Sequence, residues 1–222
     1  MDLEIARMNM IEQQIRPWDV LDQEVLDLLL VVKREDFVPP AYRLMAFTDM
    51  EIPLNVDGTN TGEFMFAPKL EARILQDLAV TKHETVLEVG SGSGYMAALL
   101  AHRARHVDTL ELRSDLARFA DANLQRAGVA NVSVRCADGA QPPAHDYDVI
   151  LLSGSVAFVP DFLLQRLKPG GRLAAIVGEP PVMQAQIVTR AADSQSAFVA
   201  AAMFETYAKP LANFPRRDSF RF

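Results

Sequence analysis

Residues 86–95 read Val-Leu-Glu-Val-Gly-Ser-Gly-Ser-Gly-Tyr, and residues 96–101 continue with Met-Ala-Ala-Leu-Leu-Ala. The first four residues form an apolar run that is typical of a buried strand, and the last six favour a helix. Between them stand three glycines at alternate positions. Glycine tolerates the positive φ that so sharp a turn requires, and it leaves the backbone bare for a ligand. The stretch therefore predicts a strand, a tight turn and a helix, with a cofactor resting on the turn.

The spacing of the glycines helps to choose the cofactor. The Gly-x-Gly-x-Gly pattern of residues 90–94 resembles the dinucleotide fingerprint, but Tyr95 stands where that motif requires its third glycine. Glu88 would repel a pyrophosphate and would suit a cationic ammonium or sulfonium group. Glu111 ends a second apolar run, twenty-one residues past the first glycine, where an acidic residue holds the ribose hydroxyls of a nucleoside. The chain therefore looks like a class I methyltransferase that uses S-adenosylmethionine (SAM).

Composition limits the classes of function. A chain of 222 residues, 50% hydrophobic and 23% charged, suits one globular α/β domain. The formal net charge of -7 argues against a nucleic-acid partner, because phosphate binding depends on clustered Lys and Arg. Cys136 is the only cysteine, so an intrachain disulfide is excluded, and we expect this thiol to be buried. Without a signal segment, a long apolar span or metal-ligand spacing, we expect a soluble cytoplasmic protein with no metal and no membrane partner.

The N-terminal third is predicted to be a helical cap and connector, residues 1–78, attached to a core of residues 79–222. Helical periodicity runs through residues 2–32, broken at Pro17, with Asp22 as the cap of a second helix. Four apolar residues of the first helix are expected to face the core: Ile5, Met8, Ile11 and Ile15. Residues 42–61 read as an irregular connector, and residues 68–78 read as a helix that leads into the core.

The core alternates strands and helices. Strands are predicted at 85–89, 107–110, 132–135, 148–153 and 172–177, and helices at 95–103, 115–126 and 161–167. Residues 168–171, Lys-Pro-Gly-Gly, are predicted to be a turn. Two more β-rich runs, 186–190 and 197–207, follow without a helix between them. The pattern predicts a parallel doubly wound sheet that an antiparallel edge hairpin extends to seven strands.

A third acidic residue follows the third core strand. Asp138 stands in Ala-Asp-Gly, residues 137–139, at the carboxyl edge where open α/β sheets bind their ligands. Its carboxylate can accept a hydrogen bond from the exocyclic amine of adenine. The alternative is a plain Asp-Gly turn, because this pair is common in turns.

Several short segments together resemble one family, the protein-L-isoaspartate O-methyltransferases. They are Met-Ile-Glu-Gln-Gln-Ile-Arg at 10–16, Phe-Val-Pro at 37–39, Ala-Tyr at 41–42, Ile-Pro-Leu at 52–54, the glycine loop at 88–95, Ala-Asp-Gly at 137–139, Tyr-Asp at 147–148 and Leu-Lys-Pro-Gly-Gly-Arg-Leu at 167–173. The glycine loop and Lys-Pro-Gly-Gly resemble those of many methyltransferases, whereas Glu-Gln-Gln-Ile-Arg is more particular to this family. The resemblance covers nearly the full chain.

The resemblance implies a reaction and a set of contacts. Methyl would pass from SAM to a carboxylate of damaged aspartyl residues in a protein or peptide, leaving S-adenosyl-L-homocysteine (SAH). The residues implied to contact SAM are Phe64, Met65, Glu88, Gly90, Ser91, Gly92, Gly94, Glu111, Leu112, Asp138 and Gly139. The sequence leaves the oligomeric state open.

The chain departs from the family pattern at two places. The family usually carries a Gly-Gln-Thr-Ile-Ser-Gln-Pro-like segment, whose hydroxyl points at the methyl group and the substrate carboxylate. Here residues 62–68 read Gly-Glu-Phe-Met-Phe-Ala-Pro, so Phe66 occupies the position of the family serine and Phe64 that of the threonine. Ala212 likewise replaces the threonine of a C-terminal Pro-Leu-Thr. Two polar-to-apolar changes around one pocket suggest a changed substrate.

These departures leave alternatives open. Residues 64–66 could pack against the core, form an aromatic lid that attracts the sulfonium, or do both. The protein could be an isoaspartyl methyltransferase, a divergent methyltransferase with another acceptor, or a SAM-binding protein without catalysis. The C-terminal residues 214–222 are basic and aromatic. We expect them to fold back toward the mouth of the cofactor site.

Overall fold

The computed structural model describes residues 2–193 and 197–216 of the chain. The α-helices within them are α1 (Leu3–Met10), α2 (Gln23–Val31), α3 (Pro68–Leu78), α4 (Tyr95–Arg103), α5 (Ser114–Arg126) and α6 (Asp161–Leu164). The strands are β1 (Ile52–Pro53), β2 (Phe64–Met65), β3 (Thr85–Val89), β4 (His106–Glu111), β5 (Val132–Cys136), β6 (Tyr147–Val156), β7 (Leu167–Glu179), β8 (Val182–Arg190) and β9 (Phe198–Glu205).

Seven strands form the main sheet, in the order β5-β4-β3-β6-β7-β8-β9. Strands β3 to β7 are parallel to one another, and β8 is antiparallel to both of its neighbours. The predicted doubly wound sheet with an antiparallel edge hairpin is confirmed. The chain leaves β3 for β4 on one side and later returns to β6 on the other. This reversal opens a crevice at the carboxyl end of β3, where the glycine loop lies.

Most core elements begin and end close to the predicted residues, but three strands are longer and one helix is shorter than expected. β8 begins at Val182 instead of residue 186, and α6 ends at Leu164 instead of residue 167. β6 continues to Val156, and β7 already begins at Leu167. Lys-Pro-Gly-Gly is therefore part of a strand rather than a turn. The reason is a register shift in the pairing of β6 with β7: Tyr147 pairs with Leu167, and two residues later Val149 pairs with Arg172. Residues 168–171 of β7 therefore form a bulge-like irregularity in this pairing.

The first helix turns a different face to the core from the one predicted. Ile5 and Met8 are 58% and 56% exposed, whereas Arg7 is buried in an ion pair with Glu35. The buried pair, rather than the apolar spacing, sets the rotation of α1. Ile11 and Ile15 are buried as predicted, in a π-helix that continues α1.

Other predictions for the N-terminal part hold. The Asp22 carboxylate accepts a hydrogen bond from the backbone N–H of Glu24 and caps α2. The connector contains a 3-10 helix, Pro40–Phe47, and the short strand β1, which pairs with β2. Helix α3 has the predicted bounds, and its apolar stripe is buried. The pairing of β1 with β2 carries residues 64–66 to the edge of the core.

Arg34 holds this region together from the inside. Its guanidinium is fully buried and forms an ion pair with Glu71 on α3. Its Nε donates to the backbone oxygen of Ala46 at 3.0 Å, and its Nη2 donates to that of Phe66 at 2.5 Å. The same guanidinium lies 5.3 Å from the ring centroid of Tyr95. Because a buried charge is costly unless it is fully paired, these contacts fix the segment that contains Phe66.

One expectation about the surface is wrong. Cys136 is exposed rather than buried, because it ends β5, which is an edge strand of the sheet. No helix within residues 2–193 and 197–216 is long and apolar enough to cross a membrane.

Candidate active site

A cavity of about 270 Å³ opens at the carboxyl ends of the parallel strands. Its floor consists of the ends of β3 and β4, the turn after β5 and the middle of β6. Residues from the connector form one wall, and the C-terminal segment from Lys209 to Arg216 contributes another. The cavity therefore lies at the place that the strand order predicts for a ligand.

The glycine loop has the backbone that the sequence predicts. Gly90, Gly92 and Gly94 have φ values of +98°, +51° and +82°. A Cβ on Gly90 would lie 3.2 Å from the Ser153 carbonyl oxygen, so the bare backbone also permits a close approach to β6. Gly90 and Gly92 line the cavity. Gly94 does not, and it serves instead as the N-terminal residue before α4, packed against Ala120.

Glu111 presents a carboxylate at the end of β4. Its Oε2 accepts a hydrogen bond from the backbone N–H of Gly92, and its Oε1 accepts one from that of Arg113, both at 3.0 Å. Burial raises the pKa of this carboxyl, and the two backbone donors oppose the rise. Both oxygens keep lone pairs toward the cavity that hydroxyl groups could use. Leu112 beside it lines the cavity and is 46% exposed.

Asp138 forms the Asp-Gly turn that the sequence allows, and it also lies at the cavity. Its Oδ1 accepts from the backbone N–H of Ala140 at 2.9 Å, which stabilises the Asp-Gly turn. Its Oδ2 accepts from Nδ2 of Asn213 at 2.9 Å, and the residue lines the cavity. Gly139 lines the cavity too, and a Cβ there would lie 2.1 Å from Cγ1 of Val89. That glycine is required by packing against β3.

Glu88 lies beneath the cavity floor rather than on it, which contradicts the expected direct contact with a cofactor. The carboxyl is fully buried and accepts from Oγ1 of Thr109 at 2.7 Å and from Oγ of Ser153 at 2.9 Å. Ser91 is buried as well, with its Oγ 2.7 Å from Oγ1 of Thr109. Burial raises the pKa of Glu88 to about 8, although the two hydroxyl hydrogen bonds lower it. The group therefore ties β3, β4 and β6 together under the loop.

Residues 64–66 divide between the core and the cavity. Phe64 is 46% exposed and Phe66 is 9% exposed, and both line the cavity. Met65 is buried and does not line it. Alternation along an extended strand explains this, because successive side chains point to opposite faces. Met65 therefore packs against the core, whereas Phe64 and Phe66 present rings to the cavity, and position 66 has an apolar ring where the family has a hydroxyl.

The start of the C-terminal tail returns to the cavity, as predicted. Phe214 is 8% exposed, its ring centroid lies 6.1 Å from that of Phe162, and Arg216 lines the cavity. The remainder of the tail, including Arg217, Phe220, Arg221 and Phe222, lies outside the described residues.

Four charged residues at the cavity were missed by the sequence reasoning: Glu51, Glu63, Arg113 and Lys209. Nζ of Lys209 donates to the carbonyl oxygen of Gly62 at 2.9 Å and to Oε1 of Glu63 at 2.6 Å. Burial raises the pKa of Glu51. Nothing local marks Glu51, Glu63 and Lys209, because they meet only through pairing between distant segments. Across residues 2–193 and 197–216, no group of three or more His, Cys, Asp or Glu side chains could hold a metal ion.

Comparisons with known proteins agree with this geometry. The family model for protein-L-isoaspartate(D-aspartate) O-methyltransferase matches residues 6–209. A protein-L-isoaspartate O-methyltransferase 2 from Marinobacter nauticus is 36% identical over 197 residues, which are 87% of this chain and 88% of that protein. A protein-L-isoaspartate O-methyltransferase from Rhodopseudomonas palustris is 38% identical over 183 residues, which are 82% and 81% of the two chains.

A solved structure shows the same fold. It is that of a protein-L-isoaspartate O-methyltransferase from Plasmodium falciparum in complex with SAH, with a TM-score of 0.78 and 19% identity. The alignment covers 92% of this chain and 97% of that one. Fold and site together define a class I methyltransferase that depends on SAM. The chain belongs to the protein-L-isoaspartate(D-aspartate) O-methyltransferase family.

Proposed function

We propose that this protein transfers a methyl group from SAM to the carboxylate of isoaspartyl residues in proteins or peptides. The observation that carries the proposal is the cavity at the carboxyl edge of a family-matched sheet. The carboxylates of Glu111 and Asp138, at the ends of two neighbouring strands, line this cavity together with the glycine backbone of its floor. A concave site that combines apolar and aromatic walls with fixed polar groups is typical of a small-molecule site.

The hydrogen-bond acceptors of the cavity fit the nucleoside part of SAM. We assign Glu111 to the ribose hydroxyls, because a buried carboxylate with free lone pairs is a strong acceptor for them. We assign Asp138 to the exocyclic amine of adenine, since it follows the next strand at the same edge. Gly90 and Gly92 leave the floor without side chains, and Leu112 supplies an apolar face.

The chain's own contribution to the reaction is position and exclusion of water. When bound, SAM supplies an electrophilic methyl carbon, which an acceptor oxygen attacks as the carbon–sulfur bond breaks. The acceptor carboxylate is already ionised at neutral pH, because its reference pKa is about 4. No general base is required of the protein. Phe64 and Phe66 line the cavity with aromatic rings, which keep water out and attract a sulfonium through their faces.

A second candidate is a methyltransferase of the same class with a different acceptor. The observation in its favour is that the cavity-lining side chains at positions 66 and 212 carry no hydroxyl. Losing one hydrogen bond to a charged group costs about 1.5 to 3 kcal/mol, or roughly a tenfold to hundredfold in rate. The departure therefore weakens the isoaspartyl reaction without abolishing it.

Transfer of labelled methyl tests the proposal. The purified protein is incubated with methyl-labelled SAM and a peptide that contains isoaspartate, beside the same peptide with ordinary aspartate. We expect label to enter only the isoaspartyl peptide, as an ester that base releases as methanol. Equal labelling of the two peptides, or none in either, would contradict the isoaspartyl assignment and favour the second candidate.

A further inference from the structure

Lys209 lines the cavity, and the methyl-transfer reaction as described gives its ammonium no role. Three cationic residues line the cavity among the described parts of the chain: Arg113, Lys209 and Arg216. Arg113 is paired with Asp115 beside the end of β4, at 2.7 Å. Arg216 follows Asn213, which is bonded to Asp138. Arg113 therefore belongs to the nucleoside end of the cavity, and Arg216 lies on the segment that Asn213 anchors there.

Lys209 instead faces the segment that has lost the family hydroxyl. Its Nζ donates to Gly62 and Glu63, which begin the segment that contains Phe66. Phe64 and Phe66 line the same cavity. The cation is therefore a charged donor at the start of the segment that carries the apolar replacement, and it lines the same cavity.

The backbone of this lysine is held firmly. The N–H of Ser155 on β6 donates to the carbonyl oxygen of Lys209, and the N–H of Leu211 donates to that of Ser155, both at 2.9 Å. Pro210 forms an isolated parallel bridge with Ser155. A side chain whose backbone is hydrogen-bonded to a strand of the sheet is held in place more precisely than a side chain on a free loop.

The ammonium has capacity left for a ligand. It offers three donors, and Gly62 and Glu63 accept two of them. The side chains of Lys209 and Glu63 are 47% and 38% exposed, so their ion pair is weak and solvent-screened. A second carboxylate can share the ammonium without first breaking a strong buried pair.

We propose that Lys209 binds the carboxylate of the methyl acceptor, in place of the hydroxyls absent at positions 66 and 212. This inference rests on the proposed function, because it takes the acceptor to be an anion. Glu63 holds the ammonium toward the cavity and competes with the acceptor for it. The ligand class is a peptide carboxylate, and the corresponding amide is excluded because it carries no charge.

Kinetics and binding of one isoaspartyl peptide test the inference. In Lys209→Met, KM for the peptide should rise about tenfold to hundredfold, as for loss of a charge-assisted hydrogen bond. The dissociation constant of SAH, measured by calorimetry, should stay within twofold. Calorimetric binding of the same peptide to the SAH-loaded protein should weaken by the same factor as KM. A peptide amidated at that carboxylate should bind unmodified protein and variant equally poorly.

Three further variants complete the design. Lys209→Arg should retain most of the peptide affinity. Glu63→Gln should improve it, because a neutral amide still holds the ammonium by a hydrogen bond but competes with the acceptor carboxylate less than a charged carboxylate does. Lys168→Met is the matched control: Lys168 pairs with Asp148 at 2.7 Å with similar exposure, and it does not line the cavity. Its peptide KM should not change. If Lys209→Met does not fold, Lys209→Arg and Glu63→Gln still decide the question.

The outcomes separate the two proposals. An unmodified protein that neither binds nor methylates isoaspartyl peptides overturns the proposed function, and this inference with it. An active protein whose peptide KM is unchanged in Lys209→Met, or whose peptide affinity falls in Glu63→Gln, overturns only the inference. Equal losses of peptide and SAH affinity in Lys209→Met would show a structural role for the lysine and would also overturn it.

Discussion

The two ends of the cavity are built in different ways. At the nucleoside end, the backbone of neighbouring strands places Gly90, Gly92, Glu111 and Asp138 at one edge of the sheet. At the acceptor end, side chains meet across long separations: Lys209 and Glu63 are 146 residues apart, and Arg34 and Phe66 are 32 apart. Where the backbone of the strands sets the geometry of a site, substitutions of nearby side chains leave that geometry unchanged. A site assembled from side chains can acquire a new acceptor by a few substitutions.

The largest effect is expected where the acceptor end depends on one buried charge. Arg34→Met leaves the Glu71 carboxyl without its partner and the Phe66 carbonyl without its donor. Breaking a buried pair from one side costs about 3 to 5 kcal/mol. We expect the free energy of unfolding, from urea denaturation, to fall by that amount.

The control for Arg34 is Arg16→Met, because Arg16 forms an exposed pair with Glu12 at 2.8 Å. Exposed pairs contribute about 0 to 1 kcal/mol, so this variant should stay close to the unmodified protein. Similar stabilities for both variants would refute the anchoring role of Arg34.

A smaller effect is expected at the nucleoside end. Glu111→Ala removes the carboxylate assigned to the ribose and should weaken SAH binding by about 1 to 3 kcal/mol. Calorimetric titration with SAH measures this directly. Asp121→Ala is the control, because Asp121 lies on α5, accepts a side-chain hydrogen bond from Gln125 and does not line the cavity. An undiminished affinity in Glu111→Ala would place the ribose elsewhere.

The smallest effect concerns the carboxyl of Glu88, which is buried beneath the cavity floor. The pKa of Glu88 is raised by burial from 4.5 to about 8. The unfolded chain therefore loses this proton near pH 4.5, while the native protein keeps it until about pH 8. Its contribution to stability is full below pH 4.5 and is lost as the pH rises through 8. Between pH 6 and pH 7 the unmodified protein should lose about 1 kcal/mol more than Glu88→Gln does. Parallel stability curves for the two proteins would contradict the raised pKa.

The same contrast explains what the sequence could predict. The bounds of β3 and α4, the positive φ of the glycine loop and the cavity position of Glu111 follow from a local pattern of neighbouring residues. The burial of Glu88 does not, because its partners Thr109 and Ser153 lie 21 and 65 residues away.

Errors at the N-terminus and at the acceptor end have the same origin. Apolar spacing placed Ile5 against the core, but the ion pair of Arg7 with Glu35, 28 residues away, turns that side chain to solvent. Lys209 reaches the cavity only because Pro210 pairs with Ser155 on β6. Periodicity carries no information about such partners. The contacts that assemble the acceptor end are thus the ones that a sequence pattern reveals least.

The separate construction of the two ends is tested most directly by initial rates measured over a matrix of SAM and isoaspartyl peptide concentrations. The measurement compares Glu111→Ala with Lys209→Met. We predict that Glu111→Ala raises KM for SAM and leaves KM for the peptide within about twofold, and that Lys209→Met does the reverse. If either variant raised both constants by the same factor, or if both variants raised only the same one, the division of the cavity into two independently built ends would be wrong.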